Sequence, residues 1–590
     1  MSQTNPGKIK EHARLGQWFA TAICGNDILS STFYVSGIAI VYAGVFAPIV
    51  LALIGVVLFL YKAVYTEVVE ALPTNGGAYN CLLNATSKNI AAVAGTTTVL
   101  SYIATAVISG QSAISYLHSI VNIPVIPITI GLLFLFAMLV ISGIKDSARV
   151  AFSIFSFHVL VLIAFVILGG VYFLRGGHSY LMENVTATIP IMQRLGGLLP
   201  ALFFGFAASL LGVSGFESSA NFVEEQRRGV FRKTLRNMLI GVAIFNPLIA
   251  LICLNVIPFD TIIKARDFLL SDTALMMGGS IFRLIVVIDA ILVLAGAVLT
   301  AYVGVSGLLY RMTTDDVFPP ILAKQNKKGS HPYIVILFFL LCTSILILTK
   351  GDLLSLAGVY TIAFLSVMTL FALGNLIMRE TRRELKRTYN APLLFVIFAF
   401  IATASGIIGN IKVDPRNFVY FATYFIPAII LVFATIYLDY IILFIMRFTT
   451  RFPKLHTFLQ KEYYDLTNDG KFVVFFHHLK RLHTIFEYID RNEIGRTVYL
   501  VHCNNKEKAR PQRNIEKFEE LKKILPILKR AGVYAEFHIL PVFINKPFGP
   551  QVIDEVAKKY NVRKNRVLIG SIHEEHQFDY EDLGGVRIIF

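Results

Sequence analysis

Long apolar runs separated by short polar or basic stretches make up the first three quarters of the chain. A helix needs ~20 predominantly apolar residues to cross a bilayer, and about twelve segments meet that length. They are predicted near residues 16–43, 46–70, 90–118, 124–143, 147–174, 196–220, 233–257, 280–310, 332–349, 353–378, 392–411 and 418–446. The pattern indicates an all-α membrane domain over residues 1–450.

The pattern changes after residue 450, where short apolar runs alternate with charged amphipathic stretches. Such alternation of strands and helices predicts a small α/β domain with a parallel sheet over residues 451–590. Strands are expected near 472–476, 497–503, 534–540, 566–570 and 586–590, and helices at 514–531 and 551–560. The last strand leaves an edge at which a second copy of the chain can pair, so a homodimer is expected.

The first apolar segment carries Gly25, Asn26 and Asp27 in its middle. A carboxylate near the bilayer centre costs at least ~2.5 kcal/mol, and Gly and Asn weaken a helix. We therefore expect a broken helix whose unwound backbone holds a substrate or an ion. Tyr34 follows Asp27 by seven residues and faces the same side of a helix. A purely structural pairing of Asp27 with a neighbouring helix is the alternative.

The sixth segment contains a similar polar interruption, Gly212-Val-Ser-Gly-Phe-Glu217. Two glycines flank Ser214 and precede a carboxylate, which predicts a second helix break. If five-helix repeats relate the two halves of the domain, helices one and six are equivalent. Paired breaks at equivalent positions are the best sequence indication of a transport site.

Other polar residues lie inside predicted spans. Tyr102, Thr105 and Ser109 form one helical stripe in the third segment, which suits oxygen ligands but also ordinary contacts between membrane helices. His158 and Asp289 are further intramembrane ionisable groups. A structural pairing is favoured for both, although His158 is able to exchange a proton.

Composition agrees with a membrane protein, since 55% of the 590 residues are hydrophobic and 16% are charged. The formal net charge of +16 reflects basic loops after segments six, eight and ten. This asymmetry places both termini in the cytoplasm and does not indicate nucleic-acid binding. The five cysteines show no metal or disulfide spacing. No nucleophile–base pair, cofactor motif or nucleotide loop is recognisable, so neither an enzyme nor a cofactor is expected.

Three motifs resemble the amino acid–polyamine–organocation (APC) superfamily. They are Thr66–Tyr79, Gly143–Arg149 and Gly215–Glu217 with Glu224 and Glu225. The resemblance covers about residues 15–446. It implies the LeuT fold, with two inverted five-helix repeats plus two added helices, in a multi-pass plasma-membrane permease.

Within that superfamily the polar set is most similar to KUP/KimA-type potassium importers. The resemblance implies ligands at Asp27 and Tyr34 in helix one, Tyr102, Thr105 and Ser109 in helix three, Ser214 and Glu217 in helix six, and Tyr360 in helix ten. Those importers also carry a cytosolic domain resembling the universal stress protein fold. One departure is Ser101, which stands where those importers have an acidic residue.

The residues allow two substrates. Potassium would use the charges of Asp27 and Glu217 with hydroxyl ligands, above all Tyr34, Thr105 and Ser109. An amino acid would instead place its carboxylate on free amides near Gly25, Gly212 and Gly215 and its ammonium on Asp27. A polyamine is included in this alternative. Potassium is favoured, with Glu217, Asp27 or His158 carrying a coupled proton. A membrane-anchored sensor with the C-terminal domain as its active part is a third interpretation. In a transporter, the C-terminal domains of the dimer are expected either to regulate transport by binding a small ligand or to serve only for assembly.

Overall fold

The computed structural model describes residues 14–590 with several gaps. The gaps are residues 144–147, 222, 228, 384, 386, 469, 477–481, 494–496, 504–515, 517, 524, 527–536, 571–582, 584–585 and 590. The described residues form two compact units. The helical unit holds Arg14–Met312 and Pro320–Ile430, and the sheet unit holds Thr313–Pro319 and the described part of Leu431–Phe590.

Apolar helices account for most of the helical unit. They are α1 (Gln17–Ser30), α2 (Thr32–Ala43), α3 (Ala47–Ala71), α4 (Gly77–Ala85), α5 (Lys88–His118), α6 (Val125–Ile141), α7 (Ala148–Leu174), α8 (Leu181–Leu195), α9 (Leu198–Ser209), α10 (Phe231–Val256), α11 (Phe259–Lys264), α12 (Leu269–Thr314, interrupted at Gly279), α13 (Pro332–Leu348), α14 (Leu353–Thr381), α15 (Leu393–Val413) and α16 (Pro415–Ile436).

Nine helical stretches of the described chain are long and apolar enough to cross a membrane. The longest, Gln17–Ala71, contains the first two predicted segments. The shorter apolar helices α6 and α13 coincide with the fourth and ninth. These helices indicate an integral membrane protein.

The last predicted segment, 418–446, is wrong as one continuous helix. Helix α16 ends at Ile436, and a separate helix α17 (Leu438–Phe448) follows after the turn at Tyr437. Helix α16 already has 22 residues, which is enough for one crossing of the hydrocarbon core. The apolar run therefore continues beyond what a single span requires.

The sheet unit contains the predicted parallel sheet. Its strands are β1 (Lys471–Phe475), β2 (Thr497–Cys503), β3 (His538–Ile544), β4 (Val567–Ile569) and β5 (Arg587–Ile588). Besides α17, its helices are α18 (Pro453–Asn468) before β1, α19 (Leu482–Asn492) between β1 and β2, and α20 (Pro550–Tyr560) between β3 and β4. All pairs are parallel, in the order β3-β2-β1-β4-β5. Strand β3 begins at His538, and residues 534–536 of the strand predicted there lie outside the described residues. Half of the helix predicted at 514–531 also lies outside them, and its described residues are helical.

The first helix break differs from the prediction. Residues 25–27 lie within helix α1, so the expected unwound backbone is absent there. A turn at Ser31 separates α1 from α2, but Ser31 keeps helical dihedral angles of φ −61° and ψ −22°. There the hydroxyls of residues 30–32 donate to the carbonyls of residues 27–29, three positions earlier, at 2.7, 2.6 and 2.7 Å. Hydroxyl groups that satisfy local carbonyls compete with the helical ladder, which explains why the turn forms at the Ser-Ser-Thr sequence.

The second break is present where it was predicted. Helix α9 ends at Ser209, and a short 3₁₀ turn covers Leu210–Val213. Ser214 is extended with ψ 143°, and Gly215 has φ +88°. Only glycine adopts such a φ readily, so Gly215 permits the chain to reverse before the 3₁₀ turn Glu217–Asn221.

Candidate functional site

The second break meets helix α1 at Gly215. A Cβ atom on this glycine would lie 2.8 Å from the backbone nitrogen of Ile28 and 2.9 Å from Cγ of Asp27. Real Cβ atoms do not approach other atoms so closely, so the contact requires glycine. The close approach brings the helix-one carboxylate against the unwound part of segment six.

Asp27 is buried at this contact, with 4% of its surface exposed. Its Oδ2 atom accepts a hydrogen bond of 2.7 Å from the Ser218 hydroxyl. Neutral donors offset part of the desolvation of a carboxylate without cancelling its charge. Asp27 is therefore held in place and still able to attract a cation.

Glu217 supplies a second buried carboxylate, with 8% of its surface exposed. Its Oε1 accepts from the Ser101 hydroxyl at 3.2 Å, and its Oε2 accepts from the backbone N–H of Gly215 at 3.1 Å. Ser101, the position that departs from the KUP/KimA pattern, thus donates directly to Glu217. A hydroxyl here replaces what would be a second carboxylate beside Glu217.

Hydroxyl groups surround the two carboxylates. The Thr105 hydroxyl donates to Tyr360 Oη at 2.6 Å, and Ser214 lies next to both Tyr34 and Tyr360. Tyr102 accepts a hydrogen bond from Asn221 Nδ2. The predicted residues of helices one, three, six and ten therefore lie together, and all of those named here are buried.

Two predicted residues take no part in this network. Gly25 is helical, and a Cβ there would lie 2.5 Å from Phe155 Cε2. Gly25 therefore allows close packing of α1 against α7. The prediction of a free amide at Gly25 is wrong, because α1 does not unwind at this residue. Ser109 is buried, and its hydroxyl has no hydrogen-bond partner among the described residues.

His158 and Asp289 form a separate buried pair, and neither side chain is exposed. Nδ1 of His158 is 2.8 Å from Asp289 Oδ2, and Nε2 is 3.3 Å from the carbonyl oxygen of Leu29. Both ring nitrogens of His158 therefore face oxygen atoms, one from a carboxylate and one from a backbone carbonyl. The pair contacts helix α1 immediately before its turn at Ser31.

Sequence reasoning missed Ser218 and Asn221 as members of the site. Both lie in the 3₁₀ turn after the second break, where no helical or strand periodicity relates them to neighbouring residues. The one available signal was the polar run that follows Glu217 within an apolar segment.

Two of the motifs that carry the superfamily resemblance contact each other. The backbone N–H of Asn75 donates to Glu224 Oε1 at 3.0 Å, and its side-chain oxygen accepts from the backbone of Val223 and Glu224 at 2.7 and 3.1 Å. Its Nδ2 lies 3.2 Å from both carboxylate oxygens of Glu225. These bonds fix the segment after the second break to the turn before α4.

Known proteins resemble this chain over the helical unit. The family described as amino acid permease matches residues 15–444. The branched-chain amino acid permease BcaP of Bacillus subtilis (strain 168) is 22% identical over 407 residues, which cover 64% of this chain and 82% of BcaP. The potassium transporter KimA of the same strain is 21% identical over 429 residues, covering 71% and 70%. The vacuolar cationic amino acid transporter 2 of Arabidopsis thaliana is 24% identical over 342 residues, covering 53% and 51%.

Proposed function

The chain belongs to the amino acid permease family and is a membrane transporter, and on that premise we propose that it takes up potassium together with protons. The ion would bind between the first and sixth membrane segments, at Asp27 and Glu217. Hydroxyls of Tyr34, Thr105 and Ser214 would complete a mostly neutral oxygen shell. The similarity to KimA supports this substrate.

The main support for a cation is the charge of the site. Neither Asp27 nor Glu217 forms a salt bridge with a described lysine or arginine, and only neutral groups donate to them. Two buried acids without a positive partner attract a cation and repel an anion. One positive ion would bring the site closer to electrical balance.

The backbone supports an inorganic cation over an amino acid. A substrate carboxylate would require free amides at the breaks, yet the N–H of Gly215 donates to Glu217, and those of Ser214 and Phe216 donate to Leu211 and Val213 at 3.1 and 3.2 Å. The amide of Gly25 lies in the interior of helix α1. An amino acid would have to displace these bonds before it could bind.

Proton coupling is proposed for two places. Glu217 is buried beside Asp27, so protonation of one of the two acids would relieve their mutual repulsion when no cation is bound. The His158–Asp289 pair would act on the transporter through the Leu29 carbonyl, because a proton gained or lost by the pair would change the group that faces this carbonyl. Electrostatics alone would make cation release favour proton uptake at Glu217 and cation binding favour proton loss. Uptake of both together therefore also requires a conformational coupling that loads the cation and the proton in the same state.

A proton-coupled amino acid permease is the alternative. It is supported by the family itself and by the similarity to BcaP. Ser101 also favours it, since the site has one acidic residue fewer than the potassium importers that it resembles. On this alternative, Asp27 would bind the substrate's ammonium group.

We further propose the finer architecture implied by the sequence. It comprises about twelve spans in a LeuT fold in the plasma membrane, with both termini cytoplasmic and a C-terminal domain of the universal stress protein type. That domain would regulate transport by binding a small ligand and would pair two copies of the chain. A monomeric mass at every concentration in light scattering would contradict the pairing.

Ligand-dependent melting tests the substrate. The purified protein would be melted in matched ionic strengths of potassium, rubidium or N-methylglucamine chloride, and with branched-chain or cationic amino acids in N-methylglucamine. We expect potassium and rubidium to raise the melting temperature, since a ligand at 100 times its Kd stabilises by about 2.7 kcal/mol. Stabilisation by an amino acid but not by potassium or rubidium would support the alternative.

A further inference from the structure

The segment that follows helix α12 belongs to the sheet unit. Helix α12 ends at Thr314, and residues 313–319 are grouped with the sheet and not with the other membrane segments. Asp316 has φ +57°, and Val317 and Phe318 are buried. A positive φ is uncommon for a residue other than glycine, so the chain makes a specific turn here. We name residues 313–319 the coupling segment.

The sheet unit holds a buried arginine beside this segment. Arg587 is 1% exposed, and its Nη1 lies 2.5 Å from Glu493 Oε1. Its Nη2 lies 3.5 Å from Asp316 Oδ2, and its Nε donates to the carbonyl of Asn565. The guanidinium is therefore shared between an acid of the sheet unit's own fold and an acid of the coupling segment.

Two neighbouring residues contact the same turn. The Asn565 side-chain amide donates to the carbonyl of Thr314 and to Asp316 Oδ1, both at 3.2 Å. Nη2 of Arg566 lies 3.7 Å from Asp316 Oδ2. The side chain of Asn565 thus recognises both the backbone end of α12 and the carboxylate that follows it.

Burial makes the charge balance of this cluster important. Arg566 and Arg587 provide two positive charges, and Glu493 and Asp316 pair with them. Asp315, which is buried in the same segment, also interacts electrostatically with Arg587. Removing one partner from a buried ionic cluster leaves an uncompensated charge, which is strongly unfavourable. Release of the coupling segment would remove Asp316 from both arginines.

The cluster lies at one edge of the sheet. Arg566 immediately precedes β4, Arg587 begins β5, and Arg566 stacks 5.1 Å from the ring of Phe472 near the start of β1. All three positions are at the amino ends of parallel strands. Ligands of open α/β sheets bind outside the carboxyl ends, so the coupling segment occupies the opposite edge.

We propose that the coupling segment is an internal ligand of the sheet unit and transmits its state to transport helix α12. Helix α12 carries Asp289, the partner of His158, and continues into the coupling segment without a break. A rearrangement at the sheet edge would therefore act on the end of a helix that carries part of the proposed coupling machinery. The docking itself is independent of which substrate the protein transports.

Hydrogen–deuterium exchange of the full-length protein tests the docking. Asn565→Ala removes both side-chain contacts to the coupling segment and leaves the Arg587–Glu493 pair in place. Lys564→Ala is the matched control, because Lys564 pairs with Asp554 at 2.7 Å within the sheet unit. We expect exchange at residues 313–319 to rise about tenfold in Asn565→Ala, the factor that corresponds to 1.4 kcal/mol. Unchanged exchange in Asn565→Ala, or an equal rise in the control, would overturn the docking.

Transport by the same variants tests the transmission. Initial uptake of labelled rubidium and, separately, of labelled leucine would be measured for Asn565→Ala, Asp316→Ala, the double variant and Lys564→Ala. We expect each single variant to change the rate of the transported probe by about fivefold, the lower end of typical coupling between sites. The double variant should change it no further. Faster hydrogen–deuterium exchange with an unchanged transport rate would overturn the transmission. If the parent protein transports leucine but not rubidium, that result contradicts only the proposed substrate.

Discussion

At the scale of single residues, the site depends on two carboxylates with different surroundings. Asp27 accepts from Ser218, whereas Glu217 accepts from Ser101 and from the backbone of Gly215. Each acid is fixed by neutral donors, so its orientation does not depend on a bound ion. This arrangement suits a site that must remain formed while its cargo enters and leaves.

Replacing Asp27 with asparagine tests the charge at constant shape. Asp27→Asn keeps an oxygen that can accept from Ser218, so the protein should fold and insert normally. Because a neutral amide does not balance a bound cation, we expect rubidium uptake by reconstituted protein to be abolished. Asp260→Asn is the control, since Asp260 is exposed. Normal uptake by well-folded Asp27→Asn protein would remove Asp27 from the site.

The choice of Asp27 and Glu217 as candidate site residues could be made from the sequence, since carboxylates in apolar spans need a specific reason. Their partners could not be predicted in the same way. Ser218 and Asn221 acquire their positions from the irregular backbone after Gly215, and no periodic pattern describes such a backbone. The pairing of His158 with Asp289 requires knowledge of which helices are neighbours.

At the scale of elements, the two breaks differ in kind. Segment six is interrupted by a 3₁₀ turn and by Gly215 in a left-handed conformation, whereas helix one has a single turn at Ser31. The break in segment six was predicted correctly, because the positive φ of Gly215 requires glycine there. The break in helix one was misplaced, because Gly25 serves close packing with Phe155, which composition alone does not distinguish from flexibility.

Gly215→Ala tests whether the close approach of Gly215 to Asp27 and Ile28 of helix α1 is essential. The added methyl would clash with Ile28 and Asp27 and would also strain the backbone by about 1–3 kcal/mol. Gly229→Ala is a matched control, since Gly229 has φ +75° but no atom within 4 Å of its added Cβ. We expect Gly215→Ala to lose transport and Gly229→Ala to retain it with some loss of melting temperature. Equal transport by both variants would show that the contact is not required.

At the scale of the whole molecule, the sequence predicted a helical membrane part followed by an α/β domain with a parallel sheet, and both are present. The predicted boundary at residues 450 and 451 remains a proposal, because the compact units instead divide the chain near residue 430 and assign residues 313–319 to the sheet unit. That assignment rests on contacts of Asp316 with residues more than two hundred positions later. Sequence periodicity reports local structure and cannot reveal such pairs.

The central claim is that cation uptake at Asp27 and Glu217 is driven by protons. It is tested most directly by rubidium accumulation in proteoliposomes with and without an imposed pH gradient, comparing the parent protein with Glu217→Gln. The parent should accumulate rubidium above equilibrium only with the gradient, and Glu217→Gln, which resembles the permanently protonated acid, should not accumulate it under either condition. Accumulation by Glu217→Gln with the parent's gradient dependence, or gradient-driven uptake of an amino acid without rubidium flux, would contradict the account.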